Sequence, residues 1–208
     1  MKVAIYGGSF DPVHWGHLWV AQGCGEQLDL DQVLFIPAAT SPLKPGGAVA
    51  SDSQRVTMLR LAMGGTGSSE RPQLVIDERE IHRGGTSFTL DTVAELQRER
   101  PDDEFWLLVG SDAFADIQRW HRPEELLMRV TPVVFRRGGD RPVDWSVLDG
   151  LVSADRAEQI RAAAVTLPLI ELSSSDIRQR VASGRSIRFL VPHAVAAFIH
   201  AESLYQPT

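Results

Sequence analysis

The sequence predicts an α/β fold: a doubly wound, Rossmann-like, mainly parallel sheet with helices on both faces and a small helical C-terminal part. Three observations lead there. Short apolar runs suited to buried strands alternate with segments of helical spacing along the chain. Most of the runs end in glycine, proline or a polar turn, which stops a strand and reverses the chain. Parallel strands joined by right-handed crossovers then place helices on both sides of the sheet.

The elements follow in order. Val3 to Tyr6 reads as a first buried strand running into Gly7-Gly8, and a helix follows from about Gly16 to Leu28. Val33 to Ile36 is a second strand, stopped by Pro37; Ala38 to Ala50 is a Pro/Gly-rich loop. Ser53 is placed as the cap of a helix carrying Val56, Leu59 and Met63 along one side. Leu74 to Ile76 is a third strand, and Thr89 to Arg98 a helix with Leu90, Val93 and Ala94 at helical spacing. Phe105 to Val109 is a fourth strand followed by Gly110-Ser111-Asp112, and Pro123 opens a helix to about Met128. Val133 to Phe135 is a fifth strand, with Arg136 to Trp145 read as loop. Ala154 to Ala164 suits a helix and Leu167 to Ile170 a sixth strand. Ser174 or Ser175 caps a helix ending at Gly184, and a last helix from Pro192 places Val195, Phe198 and Ile199 on one face. No repeat or linker divides the chain, so residues 1–208 are expected to form a single domain.

Composition narrows the functional classes. An apolar fraction of 43% supports a sizeable core. No apolar run approaches the roughly 20 residues that span a bilayer, and no signal peptide is read at the start, so a cytoplasmic protein is expected. The formal charge of -6, without a block of like charge, argues against nucleic acid or an anionic membrane as partner. Cys24 is the lone cysteine, which excludes an internal disulfide and a multi-cysteine metal site; it lies in the first helix and reads as packed. His82, His193 and His200 have no evident partner, so no protein-held metal is expected. The tryptophans keep a homo-oligomer open.

The most informative stretch is Gly7-Gly8-Ser9-Phe10-Asp11-Pro12-Val13-His14-Trp15-Gly16-His17. Glycines at a strand end let backbone come close to a ligand. His14 and His17 lie at a helix start with a spacing that puts both rings on one side. The unpaired N–H groups and positive end of that helix favour an anion, and two imidazoles add donors for phosphate oxygens. Gly16 removes a side chain where a phosphate would approach. Neither G-x-G-x-x-G nor a Walker A loop is present, so the histidine pair is the distinctive element. Ser173-Ser174-Ser175-Asp176-Ile177-Arg178 opens a second helix with hydroxyls, free N–H groups and a permanent forked cation. Lysine occurs only at Lys2 and Lys44, and Lys44 follows the second strand, at the carboxyl edge where such sheets bind ligands.

The first stretch resembles the H-x-G-H signature of the nucleotidyltransferase superfamily, in the form typical of nicotinate-mononucleotide adenylyltransferases. Class I aminoacyl-tRNA synthetases share a related motif but carry a K-M-S-K-S-type loop not found here. Phosphopantetheine adenylyltransferases usually have Thr in place of His14. The serine segment resembles the family's S-S-T/S-x-I-R motif. Thr86-Ser87-Phe88-Thr89-Leu90-Asp91-Thr92 resembles S-Y-T-x-D-T, with Phe88 replacing tyrosine. Gly110-Ser111-Asp112 with Trp120-His121 resembles G-x-D…W, and Ser41-Pro42-Leu43-Lys44 departs from P-P-H-K at Leu43. Ile187 to Pro192 and on to Tyr205 resembles the family's closing helix and reads as structural.

The resemblance implies adenylyl transfer from ATP to nicotinate mononucleotide, giving nicotinate adenine dinucleotide and pyrophosphate in NAD synthesis. It implies catalytic roles for His14, His17, Lys44 and Arg178. It places ATP against Gly7, Gly8, Ser9, Phe10, His14, His17, Gly110, Asp112, Ser174, Ser175 and Arg178. The mononucleotide falls to Lys44, Thr86, Phe88, Trp120 and His121, and Mg2+ arrives with ATP. Alternatives are a related enzyme using nicotinamide mononucleotide, phosphopantetheine or a CTP-dependent alcohol, or a non-catalytic nucleotide-binding module.

Overall fold

A computed structural model describes residues 1–42, 46–64, 71–137, 142–168 and 170–207, the side chain of residue 137 excepted. The strands are β1 (Lys2–Gly8), β2 (Gln32–Pro37), β3 (Gln73–Ile76), β4 (Glu104–Gly110), β5 (Thr131–Arg137) and β6 (Val165–Leu167). The helices are α1 (Trp15–Gln27), α2 (Asp52–Met63), α3 (Arg79–Arg83), α4 (Thr89–Glu99), α5 (Ser111–Ala115), α6 (Pro123–Arg129), α7 (Ala154–Ala162), α8 (Ser174–Ala182) and α9 (His193–Ala201). Among the described residues the strands form one six-stranded sheet in the order β3-β2-β1-β4-β5-β6, and every pairing is parallel. The order reverses between β1 and β4, the crevice where doubly wound sheets take ligands.

Period-two alternation sorts the strand residues onto two buried faces. Ala4, Tyr6, Val33, Phe35 and Leu108 lie in a core with Val20 and Cys24 of α1, Met58 and Leu59 of α2, Ile177 of α8 and Val195 and Ile199 of α9. Val3, Ile5, Leu34, Ile36 and Leu107 face the other way, onto Leu90, Val93 and Leu96 of α4 and Leu126 of α6. Val109 and Val134 continue that second face against Phe114 of α5 and Ile160 of α7. Helices therefore cover both faces, and the C-terminal helices α8 and α9 close the first. Burial pushes the Cys24 thiol up to about 12, so it is neutral and inert at physiological pH, as a packed cysteine should be.

Several element boundaries differ from expectation for identifiable reasons. The sixth strand occupies Val165–Leu167, with Val165 and Leu167 buried, instead of Leu167 to Ile170. Pro168 has no N–H to give the ladder and ends it, while Leu169 lies outside the described residues. The preceding helix accordingly stops at Ala162. Ser51, not Ser53, caps α2: its hydroxyl accepts from the Gln54 N–H at 3.3 Å, and its own N–H donates to Gln54 Oε1 at 2.9 Å. That reciprocal pair is a capping box. Ser173, not Ser174 or Ser175, caps α8 by accepting from the Asp176 N–H at 3.1 Å. The stretch read as loop to Trp145 gives way there to a 3-10 turn over Trp145–Leu148. The short helices α3 and α5 were not expected at all.

Candidate active site

The sheet itself opens the site. Pairing between β1 and β4 stops at Ile5↔Leu107, although β1 continues to Gly8 and β4 to Gly110. Each strand stays paired on its outer side to the end, β1 through Gly8↔Pro37 and β4 through Gly110↔Phe135. The two central strands thus part company over their last three residues, and Gly7-Gly8 and Gly110 border the gap. Ser111 and Asp112 follow directly in α5, with Asp112 exposed. A Cβ on Gly110 would lie 2.6 Å from Asp112 Oδ1, so glycine there allows the carboxylate to fold back over the strand end.

From β1 the chain turns through Ser9 and Phe10 into α1. Phe10 adopts a left-handed φ of 47°. Its ring is buried against Tyr6, Phe35 and His17, with centroids at 5.7, 5.4 and 5.1 Å. Any contact of Phe10 with ligand therefore falls to its backbone. His14 is the N-cap of α1 in extended conformation, and its backbone N–H donates to His17 Nδ1 at 3.2 Å. An accepting Nδ1 leaves the proton of the neutral His17 ring on Nε2. The two imidazoles stack with centroids 3.7 Å apart, as their spacing predicts. His14 is 3% exposed and His17 half-buried, so His17 offers the more accessible ring edge. A Cβ on Gly16 would stand 3.0 Å from His14 Nδ1, so glycine there makes room for the imidazole.

A second helix start is tied to this turn. The Ser174 hydroxyl donates to the Pro12 carbonyl at 2.9 Å, and Arg178 Nη1 donates to the Asp11 carbonyl at 2.7 Å. Arg178 Nη2 also donates to the Ser175 hydroxyl at 3.3 Å. Because Ser173 takes the cap, Ser174 is released to tether α8 against the α1 turn. Residues far apart in sequence, from Gly7 to His17 and from Ser173 to Arg178, so share one corner of the molecule. Two helix N-termini, each positive, meet there.

The remaining expected residues lie on the β2 and β4 side. Thr40 and Thr86 form an isolated parallel bridge, the Ser87 N–H donates to the Thr40 carbonyl at 2.9 Å, and the Ala39 N–H donates to the Ser87 hydroxyl at 3.0 Å. These bonds hold the segment that opens α4 beside the loop leaving β2. The rings of Phe88 and His121 lie against each other at a tilt of 32°, with centroids 4.4 Å apart. Trp120 is half-buried against the core on the α4–α6 face, and its indole N–H is buried with no hydrogen-bond partner among the described residues. Lys44 lies outside the described residues.

Three residues central to this geometry were not singled out from sequence. Arg55 is fully buried and donates to the Ser9 carbonyl at 2.7 Å, the Ala38 carbonyl at 2.7 Å and Asp52 Oδ1 at 2.6 Å. It clamps the β1 turn to the end of β2. Asp11, 2% exposed, accepts from the N–H groups of Val49 and Ala50 at 2.7 and 3.1 Å. Tyr205 reaches the same carboxylate from the chain's far end, its hydroxyl donating at 2.7 Å. The only available signal was the position of Asp11 inside the glycine-histidine segment. Among the described residues no group of three or more His, Cys, Asp or Glu is placed to hold a metal ion. No helix of the described residues is long and apolar enough to cross a membrane.

Known proteins resemble this chain. The Cytidylyltransferase-like family model matches residues 5–180. A protein of Rhodopirellula baltica, named "Probable nicotinate-nucleotide adenylyltransferase", is 48% identical over 98% of this chain and 93% of its own. One of Gemmatimonas aurantiaca with the same name is 41% identical over 99% of this chain and 93% of its own. Among solved structures, Plasmodium falciparum nicotinic acid mononucleotide adenylyltransferase complexed with NaAD superposes with a TM-score of 0.74. That likeness covers 98% of this chain and 97% of the other at 17% identity, and speaks for the fold. With the parted central strands, the stacked histidines and such full-length relatives together, the chain belongs to the nicotinate-nucleotide adenylyltransferase family, within the cytidylyltransferase-like proteins.

Proposed function

We propose that the chain transfers the adenylyl group of Mg·ATP to nicotinate mononucleotide, yielding nicotinate adenine dinucleotide and pyrophosphate. The observation that carries this reading is the meeting of two helix N-termini at the turn that follows β1. One bears the stacked His14 and His17; the other bears Ser174, Ser175 and Arg178. Such a corner suits a polyphosphate, and the relatives' names supply the reaction.

The nucleophile is the 5′-phosphate of the mononucleotide. A phosphate monoester has a second pKa of about 6 and is largely dianionic at neutral pH, so it needs no general base. One of its oxygens attacks the α-phosphorus in line. The bond from that phosphorus to the bridging oxygen of the β-phosphate breaks, and pyrophosphate leaves with the electron pair. The protein's task is to align two polyanions and stabilise charge as it moves onto the leaving group. His17 Nε2–H and the Arg178 guanidinium supply donors, with His14 bracing the His17 ring. The free N–H groups of Ser174 and Ser175 and the backbone of Gly7 to Phe10 complete the phosphate cradle. Lys44, from the loop after β2, adds an ammonium to the triphosphate. Mg2+ rides on ATP as part of the substrate, since divalent magnesium keeps to phosphates and water when few protein ligands are offered.

Asp112, just past β4, accepts from ribose hydroxyls of ATP. On the other side, Thr86, Phe88, Trp120 and His121 form the mononucleotide wall, with Trp120 giving a flat face for the pyridine ring. Trp120→Ala is expected to raise KM for the mononucleotide about fivefold, the scale of one lost ring stack, and that for ATP less than twofold. Steady-state kinetics with each substrate varied will check this, and equal rises would count against stacking.

Pyrophosphate release from Mg·ATP, measured with nicotinate mononucleotide, nicotinamide mononucleotide or phosphopantetheine as acceptor, tests the assignment. Release is expected to be fastest with nicotinate mononucleotide. Release with phosphopantetheine alone, or none with any acceptor, would overturn it.

A further inference from the structure

The carboxylate of Asp11 sits beside the Arg178 guanidinium without forming a close ion pair with it. Arg178 Nη1 lies 3.8 Å from Asp11 Oδ2, yet only 2.7 Å from the backbone carbonyl of the same residue. A charge-assisted bond between such groups normally closes to about 2.7–2.9 Å. Neutral donors occupy both oxygens instead. Oδ2 accepts from the Val49 N–H at 2.7 Å, and Oδ1 from the Ala50 N–H at 3.1 Å and the Tyr205 hydroxyl at 2.7 Å. The chain end is bent to deliver that hydroxyl: Ser203 and Tyr205 hold left-handed φ values of 51° and 62°, which side-chain-bearing residues adopt at a cost. Burial and the adjacent Asp11 charge push the Tyr205 phenol well above its ordinary range, so it remains a donor.

We propose that Tyr205 is a positioning residue for adenylyl transfer. By filling Asp11 Oδ1 it keeps the carboxylate from capturing Arg178, and so holds the guanidinium on the Asp11 carbonyl and the Ser175 hydroxyl, where it can serve the triphosphate of ATP. The inference rests on the assignment of Arg178 to that triphosphate. A buried carboxylate that loses a short hydrogen bond is left under-satisfied, and the nearest cation is then drawn in. Here that cation is Arg178, whose Nη1 stands about 1 Å beyond bonding distance of the carboxylate's neighbouring oxygen, Oδ2, so a small turn of the under-satisfied group closes the pair. The C-terminus would thus tune the affinity for ATP from the opposite end of the chain, while having no role against the mononucleotide.

Tyr205→Phe keeps the ring and removes only the donor. It is expected to raise KM for ATP about tenfold while changing that for nicotinate mononucleotide less than twofold. In an Arg178→Ala background the same substitution is expected to add less than twofold. In an Asp11→Asn background, whose amide has no charge to draw the guanidinium, it is likewise expected to add little. Leu204→Ala loosens the packing of the same tail without touching the hydroxyl, and is expected to leave the ratio of the two KM values unchanged. Equal rises in both KM values, full additivity in the double variants, or the same split from Leu204→Ala would overturn the proposal. Calorimetric binding of inorganic tripolyphosphate keeps the two readings apart. A wild-type protein that releases no pyrophosphate defeats the proposed reaction, whereas unaltered tripolyphosphate affinity in Tyr205→Phe defeats this link.

Discussion

Arg55→Ala is expected to remove about 3–5 kcal/mol of folding free energy, the cost typical of breaking a buried charged network. The guanidinium is fully buried, and two of its bonds end on backbone carbonyls, those of Ser9 and Ala38. Alanine leaves both without their donor and opens a cavity beneath the turn that follows β1. For a chain of this size the loss lowers Tm by roughly 10 °C, since each kcal/mol shifts a 150–250-residue protein by about 2–4 °C. Arg55→Lys is expected to recover little, because one ammonium cannot span three acceptors set for a planar fork. Urea and thermal unfolding will measure both variants. A loss below about 1 kcal/mol for alanine would show that the turn and the end of β2 hold together without the clamp.

The importance of Arg55 could not be read from the sequence, because an arginine in a helix with polar neighbours is by default a surface residue. What the sequence did reveal was local. Strand runs such as Val33 to Ile36 carry their own signal, and the crossover rule then leaves few ways to order them. Five-residue helices such as α3 and α5 are too short to show a period, and both went unseen. The histidine stack was foreseeable because His14 and His17 lie within one helical turn. Contacts closed by the tertiary fold were not: Tyr205 meets Asp11 across 194 positions and Ser174 meets Pro12 across 162. Ser173 shows how a small error of register hides function. A cap placed at Ser174 or Ser175, one or two residues late, hides the bond by which Ser174 ties α8 to the α1 turn. At Gly16 the room made for the His14 ring is likewise a contact that the sequence does not display.

His17→Ala is expected to lower kcat by about 10²-fold with the fold intact, the usual consequence of losing one donor aimed at developing charge. The reason lies in what the ring does and does not support. His17 is half-buried, and its Nδ1 accepts the backbone N–H of His14 at the start of α1, a single capping bond. Its stability contribution is therefore modest, whereas its Nε2–H is fixed in direction by that same bond. A donor held in place before reaction costs no reorganisation when charge moves from the α-phosphate to the departing pyrophosphate. Because that charge builds mainly in the transition state, kcat and kcat/KM should fall together, with KM for ATP changing little. His17→Gln, whose amide N–H can reach a similar position but has lost the planar ring stacked 3.7 Å from His14, is expected to recover only part of the rate. Steady-state kinetics with circular dichroism on each variant decide the matter. A folded His17→Ala protein with near wild-type turnover, or one that loses only ATP affinity, would move the charge-stabilising role from this imidazole to Arg178 and the α8 terminus.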